Sequence, residues 1–108
     1  MTSASDTPVL DTLAAMTLDS LERCGLSADT LILTRIAALV AMDAPAMSYV
    51  AHAGPAMESG VDAQKLQDVL VAIAPIVGTA RVMSAATHIT EALGIAIAVA
   101  EAESRSES

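Results

Sequence analysis

Apolar positions recur along this chain with the three-to-four-residue spacing of helices, and turn-forming residues divide them into segments. After Asp6-Thr7-Pro8, a capping residue and a proline suited to a first helical turn, Leu10, Leu13, Ala14, Thr17, Leu18 and Leu21 follow helical spacing. Gly25 can end that helix. Ser27 can cap a second helix running to about Asp43, whose Leu31, Ile32, Leu33, Ile36, Leu39, Val40 and Met42 cover nearly every side. A helix apolar all round must be buried all round, which points to packing between subunits.

Pro45 can open a third helix carrying Met47, Val50, Ala51 and Met57, with a kink expected at Gly54-Pro55 and an end at Gly60. Asp62 should cap a fourth helix, in which Leu66, Val69, Leu70 and Ile73 repeat at helical spacing. The run Ala74-Pro75-Ile76-Val77-Gly78 should break the chain before a fifth helix from about Ala80 to Leu93. Residues 95–100 alternate branched side chains with Ala, which also suits a strand. Helix is preferred, because no second strand candidate exists to pair with them and Ala favours helix. The expected architecture is all-α, a small bundle of about six helices. It comprises a tail over residues 1–7, one domain over 8–103 and a disordered tail over 104–108.

Composition sharpens this picture. The chain has 108 residues, 54% of them hydrophobic, yet Tyr49 is its single aromatic side chain. So much aliphatic surface on so small a domain is more than a monomer readily hides, which predicts a homo-oligomer. Thirteen acids against five bases give a net charge of −8. That balance argues against nucleic acid and against anionic membrane surfaces, and its simplest role is solubility. The N-terminus lacks the basic and apolar regions of a signal peptide, and Arg35, Glu91 and Glu101 interrupt the apolar stretches before they span a bilayer. One cysteine, Cys24, permits neither an internal disulfide nor C-x-x-C chemistry, and fits a reducing, cytoplasmic setting.

Two polar stripes carry the candidate chemistry. Ser48, His52 and Ser59 lie along one stripe of the otherwise apolar third helix, and an imidazole in a low-polarity cleft suits acid–base catalysis. The alternative is a histidine merely hydrogen-bonded at a helix or subunit interface. Arg81, Ser84, His88 and Glu91 form a second stripe on the fifth helix. There, Arg81 could hold a carboxylate in bidentate fashion and His88 could pair with Glu91; a solvated helix face is the plainer alternative. Two histidines 36 residues apart do not make a metal site. Cys24 reads as structural and the six methionines as core filler.

The order of these features resembles the carboxymuconolactone decarboxylase family, which includes the alkylhydroperoxidase D-like proteins. The resemblance covers roughly residues 27–94. It runs from Thr34-Arg35-Ile36-Ala37-Ala38-Leu39 through Ser48-Tyr49-Val50-Ala51-His52 and Ala56-Met57-Glu58-Ser59-Gly60 to Leu66-Gln67-Asp68-Val69-Leu70 and Ala74-Pro75-Ile76-Val77-Gly78-Thr79-Ala80-Arg81. It implies an alkylhydroperoxidase D-like helical fold assembling as trimers or hexamers. The family's peroxidase branch uses a C-x-x-C pair, a following histidine and an upstream glutamate. Aligned on His52, those cysteine positions hold Pro45 and Ser48, and the glutamate position holds Leu33. Thiol peroxidase activity, which needs the thiol pair, is therefore not expected. The decarboxylase branch implies a cofactor-free reaction on a small lactone or carboxylic acid. His52 would move the proton, Arg81 would hold a carboxylate, and Ser48, Tyr49 or His88 would contact the substrate. A non-catalytic family member, acting as an oligomeric ligand-binding or assembly protein, is the second reading.

Overall fold

In a computed structural model, residues 5–107 are described; the first four residues of the expected N-terminal tail lie outside them. Five helices account for most of these residues: α1 (Pro8–Arg23), α2 (Ala28–Ala41), α3 (Ala46–Glu58), α4 (Ala63–Val77) and α5 (Thr79–Glu107). No strand occurs among the described residues, so residues 95–100 are helical.

Local chemistry sets most helix boundaries. Pro8 occupies the first turn of α1, and Asp62 caps α4 by accepting the Lys65 amide at 2.9 Å. Gly60, at φ 81°, ends α3: its own N–H and that of Val61 turn back to the carbonyls of Met57 and Ala56. Asp43 does the same for α2 at φ 54°, a left-handed conformation that Asp tolerates better than most residues. There the Asp43 and Ala44 amides donate to Val40 and Leu39. Gly25 is not needed to end α1, because Cys24 already leaves the helix in an extended conformation.

One expected break is narrowed to a single residue and another is corrected. α4 continues through Pro75 to Val77, and the chain turns only at Gly78, where φ reaches 87°. Pro75 has no N–H to give the Val71 carbonyl, but only Ile76 and Val77 follow it, so the helix ends within a turn of the proline rather than at it. The separate fifth and sixth segments are one helix, since an isolated Gly94 costs only about 1 kcal/mol. Residues 104–107, read as a tail, extend that same helix.

α2 is the centre of the bundle. It packs against α3, α4 and α5, burying Leu31, Ile32, Ile36 and Val40. Each such aliphatic side chain contributes about 1.5–3 kcal/mol on leaving water. α5 lies along α3, where Ala85 and Ala92 are buried and their small side chains permit close approach to Tyr49 and Ala56. Leu66, Leu70, Ile73 and Val77 close the core from α4. The neighbours α2 requires are thus supplied within one chain, so its apolar periphery is not in itself a mark of subunit packing.

The unburied apolar surface is elsewhere. α1 has no buried residue and packs closely on no other helix. The radius of gyration, 15.7 Å, exceeds the ~13 Å of a compact chain this long. By length and composition α5 also suffices to cross a bilayer, contrary to the expectation that Glu91 and Glu101 interrupt it too early. Ala85 and Ala92 of this helix lie in the core.

Candidate functional site

The turn at Gly60 folds Val61, Asp62 and the start of α4 back beside the face of α3 that carries His52. Ile89, Ala92, Leu93, Ala96 and Ile97 of α5 form the opposite wall. Between them is a cleft of about 330 Å³, at the small end of the ~300–1,000 Å³ range of ligand sites. Ile36 and Tyr49 also line it, and almost all of its surface is hydrocarbon.

His52 is half-buried in this lining. Its Nδ1 lies 2.8 Å from the Ser48 carbonyl oxygen. A carbonyl only accepts, so Nδ1 carries the proton. In the neutral imidazole, Nε2 is therefore the unprotonated nitrogen, the form a general base requires. Ser48 thus acts through its backbone, orienting the ring from one turn earlier, and does not line the cleft. Ser59 leaves the stripe altogether: its hydroxyl bonds to the Pro55 and Ala56 carbonyls and borders a second, smaller cleft with Leu21, Leu31 and Ile32.

Tyr49 presents its ring to the cleft while its hydroxyl is buried with no hydrogen-bond partner among the described residues. Burial, reinforced by the Asp43 carboxylate, raises the phenol's pKa above its ordinary value. Tyr49 is consequently a neutral wall of the cleft.

The second stripe lies apart from it. Arg81 donates to the Ala41 carbonyl, satisfying an unpaired group at the end of α2, and the neighbouring Ser84 hydroxyl donates to Asp43 at 2.6 Å. His88 forms no ion pair with Glu91, and its Nδ1 is buried without a partner among the described residues. Neither Arg81 nor His88 lines the cleft. Of the expected set, then, only His52 and Tyr49 share it. The arginine pairs with backbone because its position follows the α2–α5 contact, which helical spacing does not reveal. Asp62, at the cleft rim, was read only as a cap. Its nearness to His52 was foreshadowed by the turn signal at Gly60. Among the described residues, no three His, Cys, Asp or Glu side chains are grouped to hold a metal ion.

The sequence profile of the carboxymuconolactone decarboxylase family matches residues 7–92. No curated protein and no solved structure matches the chain.

Proposed function

The chain belongs to the carboxymuconolactone decarboxylase family, and from that premise we propose that it is a cofactor-free acid–base enzyme of the lyase type, acting on a small lactone or carboxylic acid. The observation that carries this reading is His52. It is a half-buried imidazole lining an apolar cleft, with its Nδ1 proton committed to the Ser48 carbonyl and Nε2 left to take up a proton. Proton transfer by such a group is worth roughly 10²–10⁴-fold in rate. Thiol peroxidase chemistry forms no part of the proposal: Cys24 stands alone, while Pro45 and Ser48 occupy the start of α3 where a thiol pair would be needed.

Arg81 is not assigned a substrate-binding role, since its guanidinium serves the end of α2. That favours the second reading to a degree. A cleft without a cation suits an oligomeric ligand-binding protein as well as an enzyme. We place the protein in the cytoplasm, where a single free thiol persists reduced. We also infer a homo-oligomer, trimeric or hexameric, because α1 exposes Leu10, Leu13, Leu18 and Leu21.

The test is a pair of variants assayed against small lactones and carboxylic acids. His52→Ala should lower turnover at least 10²-fold, or lower affinity if only binding is found. His88→Ala should change either by less than about threefold, the effect of a side chain outside the cleft. Equal losses would move the site to α5. No turnover in the wild-type protein, together with binding lost in His52→Ala, would establish the binding-protein reading.

A further inference from the structure

The family profile stops at Ala92, but neither the helix nor the cleft wall does. α5 continues to Glu107, and beyond Ala92 its Leu93, Ala96, Ile97 and Ala100 line the cleft. From Ala92 to Ala100 the wall advances about 12 Å along the helix axis, at the ~1.5 Å rise of each residue. Ala92 is in the core, whereas Leu93 and Ile97 stay 57% and 50% exposed. Past Ala92, then, the apolar side chains of α5 flank the cleft instead of filling the bundle. Ala96 and Ala100, one turn apart, leave room there that longer side chains would fill. Polar chemistry comes from the other walls. His52 projects from α3, the Asp62 carboxylate at the rim accepts the Lys65 amide, and the Tyr49 hydroxyl is buried. A molecule whose carbonyl group sits at His52 must lay its remainder along hydrocarbon, where a polar substituent would lose water without gaining a partner.

We propose that residues 93–100 of α5 are the specificity element of this site. The substrate is a lactone or carboxylic acid bearing an aliphatic chain, with its head group at His52 and its chain along Ala96, Ile97 and Ala100. This rests on the reading of the cleft as the active site and narrows the substrate class given above. Each methylene of the chain that leaves water against this wall strengthens binding, by up to about fourfold when fully buried. The residues that set chain preference thus lie outside the stretch matched by the family profile, while His52 lies within it.

Two homologous series test this by NMR titration of the full chain: γ-lactones with methyl, ethyl and butyl side chains, and butanoate, hexanoate and octanoate. The two histidines give two sets of imidazole signals, and loss of one set in His52→Gln identifies the other as His88. The His52 signals should move on binding and those of His88 should not. Affinity should rise at least about tenfold from the shortest to the longest member of a series that binds. Ala96→Asp, which sets a carboxylate in the wall, should abolish that gain. Ile97→Ser, a milder change at a half-exposed position, should reduce it at least about twofold. Ala98→Asp adds the same charge to an exposed position that does not line the cleft, and should leave the gain unchanged. If the His52 signals move but affinity is indifferent to chain length, or the gain survives Ala96→Asp and Ile97→Ser, the specificity element is overturned and His52 stays at the ligand site. An equal loss in Ala98→Asp would overturn it likewise. If neither series moves the His52 signals, both readings fall.

Discussion

α1 and α2 are similar in length and both rich in aliphatic residues, yet they meet opposite environments. α2 is enclosed by three helices and contains Val40, which has no exposed surface; α1 leaves Leu10 64% and Leu13 51% exposed. Helix formation in α2 is paid for by tertiary burial. Sixteen residues of α1 are close to the ~12–15-residue limit below which isolated helices are marginal in water, so it has little intrinsic stability of its own. Besides Leu21 at the second cleft, its tie to the bundle is polar: Arg35 Nη2 donates to the Thr17 carbonyl and the Ser20 hydroxyl at 3.4 and 3.1 Å. Apolar periodicity therefore marks which residues form a helix, while enclosure depends on whether neighbours exist to receive its face. For α1 the second-copy surface inferred above would supply them.

The sharpest way to break this comparison is to place a charge on each helix. Val40→Asp should abolish cooperative folding. A buried, unpaired carboxylate costs more than about 4 kcal/mol, against a total stability of about 5–15 kcal/mol for a domain. Leu13→Asp should leave helical circular dichroism intact but reduce the mass seen by light scattering to the 11.0 kDa of one chain. If wild-type protein already scatters as a monomer, the homo-oligomer is wrong and α1 is simply exposed.

A smaller effect is expected from cutting the polar tie. Arg35→Met should speed amide hydrogen exchange across residues 8–23 about tenfold, corresponding to the ~1.5 kcal/mol of a charge-assisted bond. Exchange in α2 should change little. Equal acceleration in both helices would mean that they open together.

The smallest change belongs to Tyr49, whose ring is core but whose hydroxyl is unpartnered. Tyr49→Phe should be neutral or stabilising by up to about 1 kcal/mol, as no intramolecular hydrogen bond is lost. The pH dependence has a definite sign. Because the folded phenol's pKa is raised, the unfolded chain ionises first, near pH ~10. Stability is then full below that value and is lost as pH rises through the folded pKa. Chemical denaturation at pH 8 and 11 should show this loss in wild type and a smaller one in Tyr49→Phe.

Several of these features could be read directly from residue order. Asp62 and Gly60 announced their boundaries because a side-chain cap and a positive φ are local requirements, met by few residue types. His52 was singled out because a titratable ring in an apolar helical stripe is conspicuous. Gly94 misled for the converse reason: its local cost is modest, and packing along α3 outweighs it. The role of Arg81 was illegible, since its acceptor, the Ala41 carbonyl, is forty residues earlier and identified only by the meeting of α2 and α5.

Residue order alone determined that the chain is helical, where most helices start, and that its one cysteine cannot perform thiol-pair chemistry. All of these depend on neighbours within a turn or on the presence of a functional group. Tertiary structure decided that α2 is enclosed by its own chain and α1 is not. It also decided that His52 shares a cleft with Tyr49 and Asp62 but not with Arg81. Those outcomes depend on which helix faces meet, and burial is non-directional: it rewards any apolar partner, so periodicity shows a face without naming what covers it.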